Sequence, residues 1–143
     1  MHTYWRFSRG MTLGVRGLVV NAAGEILLIK HSYVSGWHLP GGGVETGETL
    51  RDALARELAE EGGVTLGGEP PLFAVYFNAQ ASPRDHVALF VVRAFRQEPE
   101  FRANAEIVGS GFFLREALPD DTTGATRRRI AEVLDGAPVS ATW

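Results

Sequence analysis

Residues 49–64 read TLRDALARELAEEGGV, and this stretch decides the fold. At about 100° per residue, Leu50, Leu54 and Leu58 form an i, i+4, i+8 stripe with Ala53 at its edge, which predicts a helix packed on a sheet. Thr49, with Asp52 three residues on, reads as a capping box, and Gly62-Gly63 as the stop. Glu57 and Glu61 are also four apart, and they project between Ala53 and Leu54, toward the apolar side, with Glu60 flanking them. A solvated helix places its acids opposite its leucines. Carboxylates crowded beside an apolar stripe repel one another and lose hydration, and a cation relieves both costs. Three carboxylates on one helical face suit a hard divalent ion, Mg²⁺ or Mn²⁺. The plainer reading of the same residues is a solvated acidic face stitched by pairs such as Asp52–Arg56.

Working outward, 143 residues make one domain's worth of chain, and a single domain over 1–143 is expected. Cysteine is absent, which excludes thiol catalysis, thiolate metal sites and a disulfide framework. The longest apolar runs, Ile26–Ile29 and Val87–Val92, are far short of the roughly 20 residues of a membrane helix. The net charge of −3 argues against dependence on a nucleic-acid backbone. Six acids and two arginines lie between Glu45 and Glu61, so the acidity is concentrated in one segment. These features predict a soluble, cytoplasmic protein with neither membrane nor nucleic acid as partner.

The first ten residues, aromatic and basic, read as an edge strand or a docked tail. Gly14–Val20 and Glu25–His31 read as strands joined by a turn with Asn21 first and Gly24 last. Trp37–Leu39 is a short extended piece stopped by Pro40 and three glycines. Leu72–Phe77, His86–Phe95 and Gly111–Leu114 read as further strands. Thr123–Leu134 reads as a second helix, with Ile130, Val133 and Leu134 on one face and Gly136 beyond its end. This order predicts a mixed sheet with helices packed on it. Arg127-Arg128-Arg129 reads as a solvated face of that helix.

From Gly42 the spacing runs five residues to Glu48, seven to Arg56-Glu57-Leu58, one to Glu60-Glu61, and one to Gly63-Val64. This pattern, led in by Trp37-His38-Leu39-Pro40-Gly41-Gly42, resembles the Nudix hydrolase signature at every specified position. The resemblance implies an α/β (α+β) fold, an α/β/α sandwich in which a mixed β-sheet carries the Nudix helix and a C-terminal helix. It also implies a divalent-metal-dependent hydrolase, MutT-like, that cleaves the diphosphate linkage of a nucleoside di- or triphosphate or a nucleoside diphosphate derivative. Glu57, Glu60 and Glu61 match the metal-holding acids, Glu57 also a position that serves some members as general base. Arg56 matches the arginine that braces these carboxylates, Glu48 a supporting acid, and Gly41 a glycine whose carbonyl can ligate metal.

A diphosphate-bearing site needs a polar group on its far side. The loop 104–108 ahead of the last strand resembles the place where the family supplies it, which makes Glu106 the candidate metal ligand or general base, with Glu100 as its competitor. Tyr76 and Phe77, on opposite faces of one strand, are the candidates to stack on a base, with core packing the plainer reading of both. The downstream marks of the nicotinamide, ADP-ribose and dinucleoside polyphosphate subgroups are missing, with Pro83 too late and Tyr76 too early, and so is the coenzyme A subgroup's segment before the glycines. The expected partner is therefore a small nucleotide-type molecule, with a homodimer left open. The rival is a non-catalytic diphosphate-binding module on the same fold, which the complete signature disfavours. The absence of cysteine disfavours the isomerase branch.

Overall fold

The computed structural model describes residues 10–143, so the reading of the N-terminal segment as an edge strand or docked tail falls on residues 1–9, outside the described residues. The elements in chain order are β1 (Thr12–Val19), β2 (Ile26–His31), β3 (Trp37–His38), β4 (Gly41–Gly43), α1 (Leu50–Gly62), β5 (Val64–Leu66), β6 (Leu72–Phe77), β7 (Asp85–Val92), β8 (Phe95–Gln97), β9 (Ile107–Phe113) and α2 (Gly124–Asp135). Among the described residues they form three sheets, one of them the mixed sheet that was expected. A four-stranded mixed sheet has the order β4-β1-β7-β6, an antiparallel sheet the order β3-β2-β9, and β5 pairs with β8. Among the described strand pairs β1–β7 alone is parallel, with Val15 opposite Ala88.

Alternation along the central strands sorts side chains into two layers, as a strand's two-residue period requires. Val15, Val19, Leu27 and Ile29 face α1 and pack with Ala53, Leu54 and Leu58. Leu18, Ile26, Leu28 and Leu89 face α2 and pack with Ile130. Strands covered on both faces carry apolar residues at successive positions, which is why Ile26–Ile29 of β2 and Val87–Val92 of β7 are continuous apolar runs. At Gly17 the helix comes close: a Cβ there would stand 3.2 Å from Leu54 Cδ1 and Leu58 Cδ2. Leu58 is fully buried, and truncating it to Ala costs about 2–5 kcal/mol.

Local signals act where they were expected. Thr49 Oγ1 accepts the Asp52 N–H at 3.0 Å, and Gly63 ends α1 at φ 63°. In the β1–β2 turn, Asn21 Oδ1 accepts from the amides of Ala23 and Glu25. The expected strand 86–95 stops at Val92 and resumes as β8, because the Ala94 carbonyl turns to accept the Gly67 N–H.

Two expectations are corrected in the α2 layer. Arg129 is not on a solvated face: it is fully buried, its guanidinium paired with Glu132 at 3.0 Å and stacked 4.3 Å from the Tyr76 ring centroid and 5.1 Å from that of Trp143. Tyr76 is equally buried and donates its hydroxyl to Glu132 Oε1 at 2.7 Å, so neither ring face is open to a base. The C-terminal residues close this cluster, with the Thr142 carbonyl accepting from Arg129 Nη1 at 3.2 Å. Phe77 is half-buried and tilts against His86, with ring centroids 5.5 Å apart.

Candidate active site

The C-terminal half of α1, the strand β4 and the loop before β9 meet in a cleft of about 280 Å³. Glu57, Glu60 and Glu61 line it from the helix, Gly41–Gly43 from the strand, and Asn104 and Glu106 from the loop. The structure thus brings together the four acids singled out as candidate ligands, Glu57, Glu60, Glu61 and Glu106, whereas Glu48 and Glu100 are not among the lining residues.

The acids are held differently. Glu61 is buried and accepts the Gly41 N–H on Oε1 at 2.7 Å. Burial is the main cause that pushes its carboxyl up to about 7, with Glu57 and Glu60 adding to the rise and the Gly41 bond opposing it. Glu57 is largely buried, its side chain 14% exposed, and Arg56 Nη1 donates to its Oε1 at 2.8 Å. Glu60 departs from the inward trio of the helical wheel: its side chain is 55% exposed and stands at the rim. Arg56 spans the group, donating to both oxygens of Glu48, at 2.8 and 2.9 Å, and to the Gly43 carbonyl at 3.1 Å. Hydrogen bonding from Arg56 is the first cause holding the half-buried Glu48 carboxyl down at about 2.

Gly41 and Gly42 supply space. A Cβ on Gly41, whose φ is +152°, would run into the Val15 carbonyl and stand 2.8 Å from Arg16 Cα. A Cβ on Gly42 would stand 2.7 Å from the Glu57 carboxyl carbon. The glycine run is therefore the surface on which the carboxylates sit.

Glu106 reaches the cleft through a register shift. Lys30 pairs with Gly109 but His31 with Ile107, leaving Val108 outside the ladder and 61% exposed. A bulge of this kind re-aims the residues beside it. The Ser32 N–H bonds the Glu106 carbonyl at 2.8 Å, and Asn104 Oδ1 accepts the Glu106 N–H at 2.9 Å.

Three further groups were missed from sequence, His31 and Tyr33 lining the cleft and Arg16 behind its glycine strand. Arg16 Nη1 donates to the carbonyls of Leu39 at 2.8 Å and Gly41 at 3.4 Å. Burial lowers its pKa, while Glu61 and Glu57 oppose that fall. A lone arginine inside the apolar run Val15–Val20 was the available signal. His31 Nε2 lies 3.4 Å from Glu61 Oε2, and its buried Nδ1 has no hydrogen-bond partner. Burial, then Arg16 and His38, keep the imidazole neutral-leaning by lowering its pKa. Tyr33, 68% exposed, lies with its ring centroid 5.2 Å from that of His31. Nothing in the local pattern distinguishes Tyr33 from a plain loop residue.

The chain matches the NUDIX domain family over residues 10–134. It belongs to the Nudix family. It is 30% identical to a MutT-like protein of Streptomyces ambofaciens over 88% of this chain and 79% of that protein. It is 33% identical to an ADP-ribose pyrophosphatase of Methanocaldococcus jannaschii over 71% of this chain and 61% of that one. In two further curated relatives the match covers 35% and 25% of their length. A crystal structure of a MutT NUDIX hydrolase from Burkholderia pseudomallei superposes with a TM-score of 0.73 at 29% identity, over 87% of this chain and 99% of that chain. Nudix hydrolases generally require a divalent metal ion. Among the described residues no helix is long and apolar enough to cross a membrane.

The residues fit such an ion by chemistry rather than as a finished cage. Among the described residues no three His, Asp or Glu side chains converge into a ready site. Arg56 draws Glu57 to one side and the Gly41 amide draws Glu61 to the other. The cleft nonetheless offers mostly carboxylate and carbonyl oxygens, the donors of a hard cation, and such ions commonly keep water or substrate oxygens in part of their shell. A buried carboxyl pushed up to about 7 is also one whose negative charge lacks compensation, which a cation beside it provides.

Proposed function

We propose that this Nudix protein is a divalent-metal-dependent hydrolase that cleaves the diphosphate linkage of a nucleoside di- or triphosphate or a nucleoside diphosphate derivative. The observation that carries the reading is that Glu57, Glu60, Glu61 and Glu106 line one cleft with the glycine strand β4. Relatives named as MutT-like protein and ADP-ribose pyrophosphatase support the reaction class and leave the substrate open between them.

A bound Mg²⁺ or Mn²⁺ neutralises diphosphate oxygens and makes water a better nucleophile. The chain's part is placement. Arg56, anchored by Glu48, holds Glu57 from one side, so the clamp fixes where that carboxylate can reach. The Gly41 amide holds Glu61, leaving its Oε2 toward the cleft. The Gly41 carbonyl is the backbone oxygen that would complete the ligand set with Glu57, Glu60, Glu61 and Glu106. Arg16 stands where a phosphate oxygen passing along β4 would meet a guanidinium. Glu106 faces the helical acids and would take the proton of the attacking water. Tyr33, rather than the buried Tyr76, is the aromatic ring open at this cleft.

The test is a substrate panel of nucleoside diphosphates, triphosphates and diphosphate derivatives, assayed with Mg²⁺ or Mn²⁺ and again with chelator. Metal-dependent release of a nucleoside monophosphate or pyrophosphate is expected. Absence of turnover on the whole panel, with metal bound and the protein folded, contradicts the reading.

A further inference from the structure

Gly42 and Gly43 line two clefts. Beyond them the starts of β1 and β7 open a second cleft of about 610 Å³, which also takes in Arg16 and Glu45 but none of Glu57, Glu60 and Glu61. Its chemistry differs from that of the first. Asp85, the first residue of β7, accepts from Thr12 Oγ1 at 2.7 Å on one carboxylate oxygen and from Asn78 Nδ2 at 3.0 Å on the other. The backbone fixes both partners: Thr12 and Asp85 are opposite each other in the parallel ladder, and the Asn78 N–H bonds the Asp85 carbonyl at 2.9 Å. A carboxylate accepts about four hydrogen bonds. Each Asp85 oxygen therefore keeps accepting capacity, and the amide oxygen of Asn78 adds more. Leu13 and Val87 give the cleft an apolar backing.

Such a wall asks its ligand for hydrogen-bond donors on a compact, partly apolar frame, and its negative charge repels phosphate. Paired hydroxyls on a sugar ring meet that demand. Arg16, at the junction with the carboxylate cleft, suits the anionic end of the same molecule.

We infer that this second cleft is a sugar subsite in which Asp85, braced by Thr12 and Asn78, accepts hydrogen bonds from vicinal hydroxyls of the substrate and so sets specificity. The inference rests on the hydrolase reading of the neighbouring cleft for the diphosphate that joins the two. A site built to bind hydroxyls rejects analogues that lack them far more strongly than an apolar pocket rejects a missing methylene.

The experiment compares dTDP-glucose, ATP and dATP on wild type, Asp85→Asn and Ala81→Trp. The first ligand carries vicinal hydroxyls beyond the diphosphate, the second on the nucleoside, and the third has none, so the two sources separate. Ala81 lines the cleft and meets the Asp85 network through a backbone hydrogen bond to the Asn78 carbonyl, which Ala81→Trp keeps while its larger side chain fills the space, should Asp85→Asn disturb the strand ends. Affinity is read by calorimetry in Ca²⁺ and turnover in Mg²⁺. Wild type should prefer at least one diol-bearing ligand over dATP by tenfold or more in affinity, and both variants should reduce that preference to within about threefold. Equal affinity for all three ligands, or a preference that survives both variants, overturns the subsite. Affinity that follows the prediction without any turnover overturns the hydrolase reading and leaves the subsite standing.

Discussion

Glu57 sits against Gly42: its carboxyl carbon would lie 2.7 Å from a Cβ built on that glycine. The strand β4 and the helix α1 can face each other at this distance only because the strand presents bare backbone. The first prediction follows from this contact. Gly42→Ala should displace the flexible end of Glu57 and break its pairing with Arg56, lowering kcat tenfold or more while Tm moves by only a few degrees. Circular dichroism and steady-state kinetics on one preparation check it, and wild-type kcat in this variant contradicts it.

The clamp itself can be tested at Arg56. Its side chain holds Glu48, Glu57 and the Gly43 carbonyl at once. Arg56→Lys keeps the charge but not the planar fork that reaches both oxygens of Glu48. It should lose most of the activity that Arg56→Ala loses, whereas recovery to near wild type with lysine means that charge alone, not placement, is needed.

Stability and function should pull against each other at Glu61. Its folded pKa, about 7, lies above the ordinary carboxylate value of 4.5. The folded state therefore holds the proton more tightly than the unfolded chain. This favours folding below pH 4.5, and the advantage is lost as pH rises through 7. Above that, the buried charge costs on the order of 3 kcal/mol. In chelator at pH 8, Glu61→Gln should melt several degrees above wild type, and the gap should vanish at pH 4. Equal melting temperatures at pH 8 show that the buried charge is already compensated.

The chain shows plainly where its sequence is legible. The helix α1 depends on local terms: the leucine spacing, the Thr49 cap and the Gly63 stop all act within a few residues. The signature acids could be placed from the same pattern. Strand β4 could not, because three glycines carry no alternation and the strand exists only through its pairing with Val15 and its neighbours on β1. Tyr76 misled for a related reason. Its partners, Glu132 and Arg129, lie more than 50 residues away on α2, and nothing near Tyr76 announces them. Arg129 looks like part of a basic surface run until the C-terminal residues return to cover it.

That cluster gives a prediction free of the active site. Removing one partner of a buried pair strands the other's charge, so Glu132→Ala should cost about 3–5 kcal/mol and drop the thermal midpoint sharply. The double variant Arg129→Met, Glu132→Leu should recover much of the loss. Chemical denaturation of wild type and the two variants checks this, and a near-neutral Glu132→Ala contradicts it.

The central claim is that Glu57 and Glu61 hold a divalent ion for the reaction. Mn²⁺ titration followed by electron paramagnetic resonance, on wild type and on the double variant Glu57→Gln, Glu61→Gln, measures it without reference to substrate. The account predicts a bound Mn²⁺ in the wild type and at least a hundredfold weaker binding in the variant, with both proteins folded. Undiminished binding in the variant would contradict it.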